Sequence, residues 1–317
     1  MYASVDLGGT TVACALVSAD GRIIAEKSIP TQSHEGPPAV MARIGQLVLA
    51  LAREAGEKPA AVGMGVPGLV DMGRGHTRFL PNLPTQWRDV PVAETLAREI
   101  GCPVFLLNDA RLATLGELVY GHGRSARSMV FFTLGTGVGG GIVIDGKLRL
   151  GSLGVAGEIG HQTVVPDGLV CGCGNRGCLE TVASGPAITA EGVRLMRSGL
   201  APKLFEITDG EASAVGPAEM AQAAAAGEAT VREAILRAAR YLGIGAANLV
   251  SALHPELIVM GGGVAAIGDV LIDEVRAEML RRVRMFPADG VRVERSMLAD
   301  KAGLWGGIAL AMRGGAV

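Results

Sequence analysis

Aromatic residues make up only 3% of this 317-residue chain, and neither sign of charge dominates: 29 Lys+Arg stand against 31 Asp+Glu, a formal net charge of −2. Without a basic excess, charge-driven binding to nucleic acid or anionic lipid is excluded as the organising function. Long apolar runs are missing too. The uncharged stretch Met129–Ile144 holds 16 residues, five of them glycine, short of the ~20 apolar residues a membrane-spanning helix needs. The opening Met1-Tyr2-Ala3-Ser4-Val5-Asp6 has no basic segment leading into an apolar one, so no secretory leader and a cytoplasmic location are expected. Cysteines number five, three of them (Cys171, Cys173, Cys178) within eight residues. In a chain of this size that is not a disulfide framework.

What is present is apolar content, at 49% against 19% charged, and glycine, at 47 residues. The first figure is enough to bury a sizeable core, and the length suggests about two domains. The glycines gather in short clusters between apolar runs, where a backbone without side chains can approach a ligand closely.

Along the chain, Ala3–Leu7, Val12–Val17 and Arg22–Glu26 read as an antiparallel meander, turned at Gly8-Gly9 and Asp20-Gly21. Helical spacing follows Pro37-Pro38 and stops at Gly56, and Ala61–Val66 reads as a strand. Val92–Ile100 reads as a helix, Val104–Leu107 as a short buried strand, and Ala110–Val119 as a helix. The pattern then restarts: strand Met129–Leu134, glycine turn Gly135–Gly141, strand Ile142–Ile144, turn Asp145-Gly146, strand Lys147–Leu150. The chain therefore reads as internally duplicated. A long helix over Thr230 to about Ala252, a buried strand Leu257–Met260, and helices over Val270–Val283 and Gly303–Met312 complete it. The expectation is a small α/β domain over 1–120, completed by a last helix at about 301–317, and a large α/β domain over 121–300.

Four groups of residues carry chemistry. The two glycine hairpins, Asp6-Leu7-Gly8-Gly9-Thr10-Thr11 and Leu134-Gly135-Thr136-Gly137-Val138-Gly139-Gly140-Gly141, offer backbone N–H groups and Thr hydroxyls to phosphate oxygens. The second matches G-x-G-x-x-G, but a strand and a turn follow it rather than a helix, which excludes a dinucleotide fold. Asn108-Asp109 sits between a strand and a helix, where Asp109 suits either a helix cap or a general base. Cys171, Cys173 and Cys178, with His161 ten residues upstream, offer the four N/S donors of a structural Zn²⁺; unligated cysteines or a redox thiol are the other readings. Asn82, after Pro81, has an amide that suits vicinal hydroxyls, or simply a turn, and Trp87 reads as packing.

The order Asp-x-Gly-Gly-Thr, Leu-Gly-Thr-Gly-x-Gly-Gly-Gly, then Gly261-Gly262-Gly263 after a buried strand resembles the motifs of the actin-like ATPase fold. More narrowly it resembles the glucokinase branch of the ROK family of sugar kinases and regulators, from Asp6 to about Ala309. The resemblance implies α/β, ribonuclease H-like duplicated domains with an interdomain cleft that closes on its substrates. It implies that Gly8, Gly9, Thr10 and Thr11, with Gly135, Thr136 and Gly137, hold ATP phosphates, that Asp6 organises Mg²⁺ through water, and that Gly261, Gly262 and Gly263 lie by the adenosine. Asp109 becomes the catalytic base. Asn82, Asn108, Glu158, His161 and Glu180 become sugar contacts with Gly68 nearby, and one ring nitrogen of His161 stays on a structural zinc.

The implied reaction is phosphorylation of a hexose 6-hydroxyl by Mg·ATP, with glucose first and N-acetylmannosamine, N-acetylglucosamine or fructose as alternatives. A homodimer or homotetramer is implied as well. Regulators of the family carry a helix-turn-helix ahead of the sugar domain, whereas here the first strand starts by residue 3, so a kinase without nucleic-acid or membrane partners is expected. Two departures from the family pattern stand out. Ala110-Arg111-Leu112-Ala113 replaces the common Ala-Asn-Ala, and Gly172 stands where some relatives have Glu.

Overall fold

Alternating apolar residues set the first strands. In the computed structural model, which describes residues 1–317, β1 (Tyr2–Leu7) buries Ala3, Val5 and Leu7 completely. It pairs antiparallel with β2 (Thr11–Val17), which pairs with an exposed edge strand, β3 (Ile23–Pro30). That edge strand runs past the expected Glu26, because its alternation continues through Ser28 and Ile29. Helix α1 (Pro37–Ala55) starts on prolines whose fixed φ suits its first turn, buries Val40, Ile44, Leu47, Val48 and Leu51, and ends at a left-handed Gly56. Next come β4 (Val62–Val66), a small hairpin of β5 (Leu69–Asp71) and β6 (His76–Phe79), α2 (Val92–Ile100), β7 (Val104–Asn108) and α3 (Asp109–Tyr120). The sheet order is β3-β2-β1-β4-β7, with β1, β4 and β7 parallel.

The second sheet repeats this design. β8 (Met129–Leu134) pairs antiparallel with β9 (Val138–Ile144), and β10 (Lys147–Arg149) follows the Asp145-Gly146 turn. β9 begins four residues before the expected Ile142. Gly139, Gly140 and Gly141 pair with Thr133, Phe132 and Phe131, and a Cβ at Gly140 would lie 2.3 Å from Ile159 Cδ1. The pairing with β8 makes this run strand, and at Gly140 the packed Ile159 side chain occupies the space a Cβ would take. Five helices follow: α4 (Glu180–Ala183), α5 (Gly185–Arg197), α6 (Pro202–Ile207), α7 (Pro217–Ala225) and α8 (Ala229–Leu253). Then come β11 (Leu257–Gly261), α9 (Asp269–Arg282), β12 (Arg292–Arg295) and α10 (Ala302–Met312). β8, β11 and β12 are parallel neighbours in that order, as β1, β4 and β7 are in the first sheet.

The chain divides into two compact units: Met1–Arg124 with Gly146–Gly157 and Lys301–Val317, and Ser125–Asp145 with Glu158–Asp300. Each has its own apolar core, one around Val5, Ile44, Met64 and Leu96, the other around Phe132, Ile235, Leu242 and Met260. In the first, α10 lies on α3, β1 and β4. The approach is close enough that a Cβ on Gly306 would stand 1.8 Å from the Leu112 carbonyl oxygen. No helix is long and apolar enough to cross a membrane.

Candidate active site

In the first unit, register brings three strand ends together. Asp6 pairs with Gly65 and Val66 with Asn108, so the carboxyl ends of β1, β4 and β7 lie side by side, where open α/β sheets meet their ligands. Asn108, not Asp109, caps α3: its backbone is extended, and its Oδ1 accepts from the amides of Ala110 (3.1 Å) and Arg111 (3.2 Å). Its Nδ2 donates to the Gly68 carbonyl at 3.1 Å. Asp109 therefore stands in the first helical turn, half-buried, with one carboxylate oxygen accepting from the Ala110 amide at 2.8 Å. Burial, reinforced by the negative charge of Asp109, pushes the Asp6 carboxyl up to about 6. A Cβ on Gly65 would come within 3.3 Å of Asp6 Oδ1 and 3.6 Å of Asp109 Cα, so the two acids flank the end of β4.

The first hairpin closes through Gly8 N–H to Thr11 O (2.9 Å) and is pinned by Thr31, whose amide donates to Thr10 O (2.8 Å) and whose hydroxyl donates to Gly8 O (2.8 Å). Gly9, Thr10 and Thr11 are left exposed. Asn82 is exposed too, with its carbonyl 3.6 Å from where a Gly9 Cβ would be. Trp87, five residues on, is 1% exposed and serves as packing.

In the second unit, the β8–β9 hairpin closes from Gly135 N–H to Gly137 O (2.9 Å), and Gly185 N–H donates to Gly135 O (2.8 Å). Thr136 is exposed at its tip. Glu180 meets this hairpin, accepting the Val138 N–H at 3.0 Å on Oε2, while its Oε1 lies 3.5 Å from Cys171 Sγ. A side chain at position 137 would start 2.4 Å from that carboxylate oxygen and would displace it from its place on the hairpin. The sequence gives no sign that Glu180 bridges hairpin and cysteines, because 42 residues separate it from Val138. After β11, Gly261, Gly262 and Gly263 line a cavity of about 450 Å³ together with Arg295, Ser296 and Met297. Sequence reading missed these last three, since short, charged β12 carries no apolar pattern.

His161 and the three cysteines converge, with one donor atom from each lying within 4.8 Å of all the others. Cys171 Sγ is 3.6 Å from His161 Nδ1, and Cys173 Sγ is 3.7 Å from Cys178 Sγ. Tetrahedral zinc, with bonds of ~2.0 to 2.3 Å, needs donor spacings of roughly 3.5 to 3.8 Å; these two spacings suit that ion, and the donor set is compatible with it. Burial pushes Cys171 up to about 12 and also raises Cys178, whereas the Asn175 backbone N–H lowers Cys173. The other imidazole nitrogen of His161, Nε2, lies 3.8 Å from Glu158 Oε2. One ring thus meets the thiols on one side and an exposed carboxylate on the other.

The profile of the ROK family matches residues 2–313. The glucokinase of Halalkalibacterium halodurans is 36% identical over 313 residues, covering 96% of this chain and 93% of its own. A ROK family glucokinase from Streptomyces griseus, crystallised with glucose and AMPPNP, is 34% identical with a TM-score of 0.86, over 98% of this chain and 99% of that one. The ROK hexokinase of Thermus thermophilus is 33% identical with a TM-score of 0.81, over 99% and 98%. The mixed α/β fold with two sheets is theirs.

Proposed function

This chain belongs to the ROK family, and we propose that it is an ATP-dependent hexokinase acting on glucose, taking the hydroxyl on carbon 6 to its phosphate ester and releasing ADP. Asp109 carries this reading. Helix capping falls to Asn108, and Asp109 stands in the first turn of α3 beside the end of β4, where its carboxylate takes the proton of the sugar hydroxyl as the oxygen attacks the γ-phosphorus. Phosphoryl transfer asks little else of a protein beyond alignment and charge neutralisation. Asp6 orients the water shell of the Mg²⁺ that accompanies ATP; burial first, and the Asp109 charge second, raise its affinity for protons, and a cation beside it would favour the carboxylate form.

Gly8 to Thr11 and Gly135 to Gly137 serve the phosphates, and the cavity beside Gly261, Gly262 and Gly263 serves the nucleoside. Asn82, Asn108, Glu158, His161 and Glu180 contact the sugar, with the Gly68 backbone nearby. Asn108 is already fixed by its protein partners. His161, Cys171, Cys173 and Cys178 would hold a structural Zn²⁺. Such an ion supplies a fixed centre that locks the ring of His161 with Nε2 outward, toward a sugar hydroxyl.

The test is ADP release from Mg·ATP with glucose, mannose, fructose, N-acetylglucosamine and N-acetylmannosamine, comparing the wild type with Asp109→Asn. Glucose is expected to give the highest kcat/KM, and Asp109→Asn is expected to lower kcat by about 10² to 10⁴ with little change in glucose KM. Preference for an N-acetyl sugar would keep the mechanism and change the substrate. Zinc-replete protein without any sugar-dependent turnover would overturn the reading.

A further inference from the structure

The Arg111 side chain is 2% exposed, although guanidinium groups are seldom buried unless their donors are used. Its fork is spent on one neighbourhood. Nε donates to the Ala156 carbonyl at 3.1 Å, Nη2 to the Val155 carbonyl at 2.7 Å, and Nη1 to Asn108 Oδ1 at 2.9 Å. Two consecutive carbonyls more than forty residues away are thus held by the same planar group that holds the cap of α3. The Asn108 amide is fixed at both ends as a result. Its Oδ1 takes the Arg111 side chain together with two backbone N–H groups, and its Nδ2 reaches Gly68 O. Val155 and Ala156 lead directly into Gly157, whose φ is +98°, and then into Glu158.

We infer that Arg111 is a positioning residue on the sugar side of the reaction, setting the Asn108-Asp109 turn and the backbone that enters Glu158 with a single guanidinium. This rests on the kinase reading above. A charge-assisted fork across two peptide carbonyls and an amide oxygen needs three N–H vectors in one plane. Lysine keeps the charge but cannot reproduce that geometry, and a shorter amide such as Gln lacks both the charge and the three-donor fork. The nucleotide hairpins do not enter this network, so sugar parameters respond to its loss and ATP parameters do not.

The experiment compares wild type, Arg111→Lys and Arg111→Gln in steady-state kinetics, with thermal melts and amide hydrogen exchange on the same samples. Arg111→Lys is expected to lower kcat by about 10- to 100-fold, the scale on which a 1 Å misplacement acts, and to raise glucose KM. ATP KM should stay within about twofold of wild type, since uniform binding there is untouched. Exchange should quicken in peptides covering residues 153–161 and the first turn of α3 while α1 stays protected. For Arg111→Ala, millimolar guanidinium should restore part of kcat.

Wild-type kinetics in both variants would overturn the inference. So would glucose KM and ATP KM rising together in step with a global loss of melting temperature, because that is the mark of a merely structural arginine. If wild-type protein turns over no hexose, the kinase reading is what fails; hydrogen exchange then still decides whether Arg111 anchors the 153–161 segment, and unchanged exchange there sinks that claim by itself.

Discussion

Asp6 and Asp109 are two acids that flank the end of β4, Asp6 on β1 and Asp109 directly after β7, and their chemistry depends on how much charge that position tolerates. With its carboxyl raised to about 6 by burial and then by Asp109, Asp6 keeps a proton in the folded chain over an interval where the unfolded chain, near 3.8, has released it. Folding therefore loses stability as pH rises from about 4 to about 6, and the loss is constant above that. Asp6→Asn removes this cost. The nucleotide-free variant should melt above wild type at pH 8, by about 2 to 5 °C, and the gain should shrink steadily as pH is lowered toward 4. A variant melting below wild type at pH 8 would show that Asp6 is instead stabilised as the anion. On the role proposed for Asp6, Mg·ATP binding to wild type should weaken as pH falls through 6, and the variant should bind poorly throughout. The sequence showed both acids and the motifs that hold them. It did not show that Asn108 rather than Asp109 takes the cap, because Asn and Asp are equally good caps and only the observed bonds separate them.

At the scale of elements, the duplicated design was legible because glycine pairs and Asp-Gly turns punctuate apolar alternation in the same order twice. What escaped is informative. The β5–β6 hairpin and β12 are three or four residues long and rich in charge, so no periodicity marks them. β9 opens Val138-Gly139-Gly140-Gly141, and glycine, with its low strand propensity, gives no strand signal; the pairing with β8 is what makes this run strand.

Close packing of α10 on α3 is equally hidden, since the small residues that allow it look like any others. Replacing a helical glycine by alanine ordinarily gains about 1 kcal/mol. At Gly306 the new methyl would meet the Leu112 carbonyl, a backbone atom that can retreat only if the helices part, and overpacking of this kind costs roughly 1 to 3 kcal/mol. Gly306→Ala should therefore lower the denaturation midpoint of the protein in urea. A higher midpoint would mean that α10 is not held against α3 as tightly as described.

Across the whole molecule, the two units differ in what holds their functional loops. In the first, strands end in register and helices begin at once, so the acids sit on rigid elements. In the second, the span from Glu158 to Leu179 holds only a short helical turn, Ile159–His161, and isolated bridges, and Leu169 and Val170 are 68% and 59% exposed. Little apolar burial is available to order it. Backbone hydrogen bonds such as Val164 N–H to Gly177 O (2.9 Å) and Cys171 N–H to Asn175 O (2.7 Å) cross the loop, and His161, Cys171, Cys173 and Cys178 converge within it as a donor set compatible with a structural ion. The spacing of these ligands was readable from sequence, while the opposed placement of Nδ1 and Nε2, which ties the site to Glu158, was not.

Purified protein should accordingly contain about one zinc per chain, as structural sites of this donor set do. Cys173→Ser, or prolonged chelation, should bring that content toward zero, and limited proteolysis should then cut first between Thr163 and Cys178 while the first unit stays intact. Glucose KM should rise about 10- to 100-fold, the scale of losing support around a liganding histidine, with a much smaller change for ATP. Metal-free protein that resists protease in this loop and keeps its glucose KM would show that hydrogen bonds alone suffice, and zinc would have no part in placing His161.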